Sequence, residues 1–179
     1  MKVKIVQYPS PKLKRAAKRV EDFGSETQKI IDDMFETHYG TENCAALAAT
    51  QLDFEEPLAI TVIDYSEKKD QPLCLVNPEI IARSGEQNEY EGCMSVHPEF
   101  VHEKVKRAEK VKVKAQDRHG NPIEIEAEGY FAKCLQHEID HLNGLTYIDR
   151  LPPLKKDRIS KKVKQIQRAM KRGDLDSSD

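Results

Sequence analysis

Apolar residues near the start of the chain recur at the spacing of one helix face. Ile31 and Met34 belong to a set of apolar positions three to four residues apart, which predicts a helix from Glu26 to about Tyr39. Ser25 followed three residues later by Gln28 has the form of a capping box. We therefore expect Ser25 to cap this helix.

Two further stretches predict helices in the second half of the chain. The segment Gly129–Asn143 predicts a helix, and Gly144 is the residue best able to end it in the left-handed conformation. After Pro152 and Pro153, a basic segment carries a narrow apolar stripe, which predicts a terminal helix. Its apolar positions are Leu154, Ile159, Val163, Ile166 and Met170.

Short runs of apolar residues in the middle of the chain predict strands. Leu58–Ile63 and Leu73–Val76 fit buried strands. Val111–Ala115 and Ile123–Ala127 alternate apolar with polar or charged residues, and Gly120-Asn121 lies between them. We expect these last two runs to form an antiparallel hairpin with one face in water.

Together these elements predict an α+β fold. We expect mostly antiparallel sheets around a central helix, with a further helix at the C-terminal end. The predicted organisation is a domain over residues 1–153, a basic amphipathic helix of the same domain over 154–172, and a disordered tail over 173–179.

Charge is divided unevenly along the chain, although the formal net charge is only -2. Between Leu154 and Arg172 there are nine Lys or Arg and one acid, Asp157, so the body is acidic and the C-terminal segment basic. Met1–Ser10 lacks the apolar run of a secretion signal, and no stretch approaches the roughly 18 apolar residues of a membrane span. We therefore expect a cytoplasmic protein with neither a membrane nor DNA as partner.

Residues 137–141 read His-Glu-Ile-Asp-His, an H-E-x-x-H sequence within the second predicted helix. Because residues four apart share a helix face, His137 and His141 can point at one ion. Glu138 is turned by about 100°, so it is a poor third ligand but is well placed to take a proton from a water that a metal activates. The competing interpretation is two solvated or hydrogen-bonded histidines, since five-residue patterns also occur by chance.

A third ligand has to come from another part of the chain or from a cysteine on the same helix. Cys134 lies one turn before His137 but would crowd three ligands onto one face. Cys93 follows Gly92, which permits a tight backbone, so its thiolate could approach from outside the helix. Periodicity does not choose between them, and with four cysteines and no C-x-x-C pair the remaining possibility is a buried, inert thiol.

Three segments together resemble the motifs of the peptide deformylase family. The family has a small-residue loop of the form G-x-G-L-A-A-x-Q, followed by E-G-C-x-S and by Q-H-E-x-D-H. The matching segments are Cys44–Gln51, Glu91–Ser95 and Gln136–His141, in the same order and at similar separations. The resemblance spans Met1 to about Arg172. It implies a hydrolase that removes the formyl group from the N-terminal methionine of nascent polypeptides and releases formate.

The resemblance also implies the metal centre. Cys93, His137 and His141 would be the ligands, and Glu138 would be the general base and acid. A Cys-His-His set with an open position would hold zinc readily. The family nevertheless implies one Fe(II) ion, with Zn(II) as the second choice, and the sequence itself does not distinguish the two.

Substrate contacts follow from the same resemblance. Gln51 would donate its side-chain amide, and Met94 its backbone N–H, to the formyl oxygen as it becomes an oxyanion, and one such donor is worth about 10²–10³ in rate. The pocket would be lined by Ala45, Ala46, Glu91, Tyr130, Lys133 and Cys134. The expected partners are a formylated nascent peptide and, through the basic terminal helix, the surface of the ribosome. The other possibility is that this helix only covers the core.

The chain departs from the family pattern on the substrate side. Cys44 and Ala46 stand where the first motif has glycines, so an added thiol or Cβ could push the peptide outward. Lys133, four residues before His137, stands where the family usually has an aliphatic residue, and Tyr130 adds to the polarity. Lys133 either extends to solvent or reshapes the pocket toward a polar or acidic first residue.

Two other functions share some of these features. A zincin-like protease would also have H-E-x-x-H, but it gives no role to Glu91-Gly92-Cys93 or to Gln136. A divergent deformylase paralogue, with altered or lost turnover and bound to ribosomes, is suggested by the altered first loop and the basic helix. The intact set of metal ligands argues against that alternative.

Overall fold

The structure is a computed structural model that describes residues 1–174. Its helices are α1 (Ser25–Tyr39), α2 (Gly129–Leu142) and α3 (Pro153–Arg172). Its strands are β1 (Ala46–Ala48), β2 (Ile60–Ile63), β3 (Leu73–Ser84), β4 (Gln87–Glu91), β5 (Glu103–Arg107), β6 (Lys110–Gln116) and β7 (Pro122–Glu128). Short 3-10 turns occupy Pro11–Lys14, Ala49–Gln51 and Tyr147–Arg150.

All strand pairs are antiparallel, in a five-stranded sheet of order β1-β2-β3-β6-β7 and a separate β4–β5 hairpin. Ile31 and Met34 of α1 pack with Ile60 of β2 on one face of the large sheet. Leu135 of α2 packs with Val113 of β6 on the other face. The predicted α+β class, with antiparallel sheets around a central helix, is confirmed.

Strand β3 continues past Asn77-Pro78, where the sequence predicted its end. Asn77 has a φ of 52°, and the register between β3 and β6 shifts at this point. The Asn77 side chain accepts from the Val20 N–H at 2.8 Å and donates to the Gln116 amide oxygen at 2.7 Å. These bonds hold the left-handed residue, so the strand bends without ending.

The start of α1 and the β4–β5 hairpin differ from the sequence prediction. Gly24 occupies the N-cap position and no side chain caps the helix, so the prediction of a Ser25 cap is wrong. The Gln28 side chain donates instead to the carbonyls of Phe23 and Arg118. The hairpin was not predicted because β4 is almost entirely polar and its buried residue is itself a charged one, Glu91.

Helix α3 covers the loop that follows β4. Ile159, Val163 and Ile166 are buried in one cluster with Val96 and Cys93, and the basic residues face water. Leu154, which the sequence placed in the same apolar stripe, is 82% exposed, because it lies in the first turn of α3 before the helix reaches this cluster. None of the described helices has the length and apolarity needed to cross a membrane.

The predicted disordered tail lies mostly beyond the described part of the chain. Gly173 ends α3 with a φ of 81°, and the Asp174 carboxylate accepts a hydrogen bond from Arg172 at 2.8 Å. Residues 175–179 lie outside the described residues.

Candidate metal centre and substrate cavity

Helix α2 presents two histidines side by side. Gly129 opens the helix directly after β7 with a φ of 61°, a conformation that other residues rarely adopt. His137 and His141 follow one turn apart, and their Nε2 atoms lie 3.2 Å from each other. The predicted convergence of the two imidazoles is therefore present in the fold.

Cys93 joins the histidine pair from the loop after β4. Its Sγ lies 3.2 Å from His141 Nε2, and one donor atom from each of the three residues lies within 4.8 Å of the other two. Cys134, the alternative that the sequence left open, lines the neighbouring cavity but is not in this cluster. Both thiols are buried, so Cys93 and Cys134 differ in their position relative to the two histidines and not in their solvent exposure.

A buried carboxylate orients His137. Glu91 Oε1 lies 2.8 Å from His137 Nδ1, which leaves Nε2 free to face the cluster. Arg107 donates to both oxygens of Glu91, at 2.9 and 3.0 Å. Burial alone would raise the pKa of Glu91, but the bonds with His137 and Arg107 lower it to about 2, so the carboxylate is ionised.

Arg107 also ties this network to the far side of α2. It donates to Asp140 at 2.6 Å, and Arg150 donates to the same carboxylate at 2.7 Å. Sequence reasoning missed Arg107 as a part of the site, because it stands in a short, charged strand with no motif around it. Asp140 was inside the recognised motif but was given no role.

Glu138 lies at the inner end of the cavity beside the cluster. Its side chain is 4% exposed, and its Oε2 lies 4.0 Å from His137 Nε2. Its Oε1 is buried and has no hydrogen-bond partner within residues 1–174. Burial raises the pKa of Glu138 to about 7, a range in which a carboxyl group both takes and returns protons near neutral pH.

Gln51 and Met94 approach the same centre from two loops. The Gln51 side-chain oxygen accepts from the Ala48 N–H at 2.9 Å, so its Nε2 is turned toward Ser95 Oγ at 3.1 Å and Cys93 Sγ at 3.5 Å. Met94 lines the cavity, and no acceptor within the described residues takes its backbone N–H. Both residues therefore line the cavity beside the cluster.

The N-terminal segment holds these two loops together. The Val6 N–H donates to the Gln51 carbonyl, and the Tyr8 N–H donates to the Ser95 carbonyl, both at 2.7 Å. Between them, the Gln7 side chain donates to the Met94 carbonyl at 2.7 Å. Nothing in the sequence pattern indicated this support, because single polar residues near a terminus carry no spacing signal.

A cavity of about 440 Å³ opens beside the cluster. All six residues that the resemblance assigned to the substrate pocket line it, together with Gln51, Met94, Glu138 and two residues of the cluster, Cys93 and His137. The six are Ala45, Ala46, Glu91, Tyr130, Lys133 and Cys134.

Cys44 does not face this cavity. Its thiol is buried in the core of α1 and the large sheet, 3.3 Å from His38 Nδ1. The expectation that a thiol at this position would push the peptide outward is therefore wrong. Ala46 does line the cavity and has no positive φ, so the loop needs no glycine there.

The donor set fits a divalent transition metal. One thiol and two imidazoles, with Glu91 behind one of them, match the ligands that zinc and iron take in proteins. The buried acceptor atom of Glu138 provides the partner that a water in the open position would need. The residues present therefore fit a metal site that can also activate water.

Comparison with known proteins gives one consistent result. The chain matches the family described as Polypeptide deformylase over residues 2–157. It is 62% identical to peptide deformylase 1 of Coxiella burnetii over 165 residues, which cover 92% of this chain and 96% of that protein. A crystal structure of a peptide deformylase from Legionella pneumophila has 42% identity and a TM-score of 0.87, with coverage of 96% and 99%. One from Ehrlichia chaffeensis in complex with actinonin has 34% identity and a TM-score of 0.83, with coverage of 94% and 99%.

Proposed function

The chain belongs to the polypeptide deformylase family and is a metal-dependent hydrolase that removes the N-formyl group from nascent polypeptides, and from that premise we propose which residues do this work. Cys93, His137 and His141 bind one divalent metal ion, and Glu138 is the general base and acid. The observation that carries the proposal is the convergence of these three donors within 4.8 Å beside a buried carboxylate.

The metal that we propose is Fe(II), with Zn(II) second. The mixed thiolate and imidazole set suits both ions. When bound, the ion supplies a Lewis acid that activates water and polarises the formyl carbonyl. Glu91 and Arg107 keep the His137 ring oriented toward it.

Glu138 moves the proton in the proposed reaction. It takes a proton from water as the water oxygen attacks the formyl carbon. It then gives this proton to the amino-terminal nitrogen as the bond between that nitrogen and the formyl carbon breaks, which releases formate and a free amino terminus. Burial keeps the pKa of Glu138 near 7, so both transfers are possible near neutral pH.

Gln51 and Met94 stabilise the negative charge that develops on the formyl oxygen. The Gln51 amide is fixed by its bond with Ala48, and the Met94 backbone is fixed by the bond from Gln7 to its carbonyl. Donors that are already oriented need no reorganisation during the reaction. The six pocket residues of the cavity bind the methionine end of the peptide.

The basic face of α3 is proposed as a ribosome contact. Its Lys and Arg side chains point away from the core, where they can meet the phosphates of RNA. We place the reaction in the cytoplasm, where nascent chains leave the ribosome. The alternative of a paralogue without turnover is not favoured, given the identity to a deformylase and the complete catalytic set.

A pair of cysteine variants tests the metal assignment. Cys93→Ser is expected to lose the metal and formate release, whereas Cys134→Ser, also a buried thiol beside the cavity, keeps the metal. Both proteins are purified without oxygen and assayed for metal content and for formate release from formyl-Met-Ala-Ser. Loss of metal in the Cys134 variant alone would refute the ligand set.

A further inference from the structure

The ammonium group of Lys133 is held at the wall of the substrate cavity. Its Nζ donates to the Tyr90 carbonyl at 3.1 Å and lies 4.9 Å from the centroid of the Tyr130 ring. Tyr90 and Tyr130 line the cavity, as Lys133 itself does. A hydrogen bond and a cation–π contact therefore keep this charge beside the cavity, although the sequence left open that the side chain extends to solvent.

This ammonium group has hydrogen-bond donors to spare. It carries three donor hydrogens, and within residues 1–174 Lys133 uses one of them, on the Tyr90 carbonyl. In the same part of the chain no Asp or Glu oxygen lies within ion-pair distance of its Nζ. Of the acids that line the cavity, Glu91 is bound to Arg107, and Glu138 lies beside His137. The remaining donors can serve an acceptor in the cavity.

The residues around Lys133 suit a methionine side chain without needing its charge. Ala45, Ala46 and Cys134 line the same cavity and are small. The thioether of methionine is only a weak acceptor, so a charged donor gains little from it. Lys133 therefore gives the methionine pocket a capacity that binding of unmodified methionine does not use.

We propose that Lys133 allows the pocket to accept methionine sulfoxide, as well as methionine, as the formylated residue, by donating a hydrogen bond to the sulfoxide oxygen. Oxidation adds one oxygen to the sulfur and turns an apolar side chain into a polar, chiral one. The proposal rests on the proposed function and on the methionine pocket assigned there. Nascent chains whose first methionine has been oxidised are then still deformylated.

Two matched peptides test the proposal. Formate release is measured for formyl-Met-Ala-Ser and for the same peptide with methionine sulfoxide in place of methionine. The two sulfoxide epimers are assayed separately, because a donor on one wall of the pocket suits one orientation of the oxygen. In the unchanged protein, kcat/KM for the better epimer should be within about tenfold of the value for the methionine peptide, since the new hydrogen bond replaces one to water.

Lys133→Met keeps a long, flexible side chain but removes the charged donor. It should lower kcat/KM for the sulfoxide peptide about tenfold relative to the methionine peptide. The loss should appear in KM and not in kcat, because the contact is remote from the formyl group and does not change during the reaction. Lys133→Arg, which retains a charged donor, should keep the ratio of the two peptides. If Lys133 only held Tyr90 in place, Lys133→Met would slow both peptides equally.

Lys114→Met is the matched control, because Lys114 is exposed on β6 and does not line the cavity. It should give the same ratio of the two peptides as the unchanged protein. An unchanged ratio in Lys133→Met, or a preference for methionine greater than about tenfold in the unchanged protein, would overturn the sulfoxide proposal alone. No formate from either peptide by the metal-loaded protein would overturn the proposed function with it.

Discussion

The inner end of the cavity and its rim are built in different ways. At the inner end, Glu91, Arg107 and Asp140 are buried and joined by short charge-assisted hydrogen bonds, and Glu91 in turn holds His137, a proposed metal ligand. At the rim, Tyr90 and Tyr130 are more than half exposed, and their rings contact the side chains of Lys104, Lys133 and Tyr65 without a buried ion pair. A buried charge that loses its partner is costly, whereas an exposed one is not. The chemistry is therefore fixed by the inner end, and substrate preference can change at the rim with little loss of stability.

The largest expected effect on turnover comes from the inner end. Glu138→Gln keeps the shape of the side chain but removes the proton acceptor, so kcat for formate release should fall by about 10²–10⁴-fold. Metal content should not change, because Glu138 is not one of the converging ligands. Glu126→Gln on the exposed face of β7 is the matched control and should behave like the unchanged protein. Turnover of Glu138→Gln within a few-fold of the unchanged value would contradict the assignment.

The same contrast explains how much the sequence could predict. The H-E-x-x-H spacing places two imidazoles on one face from helix geometry alone, and the three motifs together indicated Cys93 as the third residue of the cluster. Arg107 could not be predicted, because its role depends on two carboxylates that the fold brings together from β4 and α2. The sequence also could not show whether the Cys44 side chain faces the core or the cavity, since a small buried residue suits either position.

The periodic elements of the fold were predictable, and the irregular ones were not. The helices and the β6–β7 hairpin followed from apolar spacing, because one face of each is buried. Strand β4 carries polar residues at nearly every position, so its pattern resembles a loop. The bend at Asn77 depends on a hydrogen bond from the Val20 N–H and on one to the Gln116 side-chain oxygen, and both residues are distant in the sequence.

Arg107 and Arg150 both donate hydrogen bonds to Asp140, and substitution of one or the other is expected to give the next largest difference in stability. Arg107→Met leaves Glu91 and Asp140 partly unpaired in the interior, so the free energy of unfolding should fall by about 3–5 kcal/mol. Because Glu91 would lose its support, metal affinity should also weaken by about 10–100-fold. Arg150→Met removes a side chain that is 45% exposed and should cost about 1 kcal/mol or less. Urea unfolding and metal titration measure both, and equal losses would show that burial does not set the cost.

A carboxylate behind the first loop is expected to give a smaller, pH-dependent effect. Burial alone would raise the pKa of Asp64, but hydrogen bonds from Ser66, Tyr39 and Gln71 lower it to about 2. The folded pKa lies below the ordinary value of 3.8, so this contribution to stability is complete above about pH 4 and is lost as the pH falls toward 2. The difference in unfolding free energy between the unchanged protein and Asp64→Asn should therefore shrink over that range. A difference that stays constant with pH would contradict the ionised state of Asp64.

The smallest effect is expected at Cys44, which belongs to the first motif but not to the cavity. Its thiol packs against His38 in the core, so Cys44→Ala removes one buried atom and should lower the free energy of unfolding by about 1 kcal/mol. Cys44→Gly, the residue that the family motif has here, should cost about 0.5–1 kcal/mol more, because glycine loses more freedom on folding. Neither variant should change kcat or KM for formyl-Met-Ala-Ser, since the cavity is lined by Asn43, Ala45 and Ala46 instead. A change in KM without a change in stability would mean that Cys44 contacts the substrate. Residue 44 would then belong to the substrate surface and not to the core.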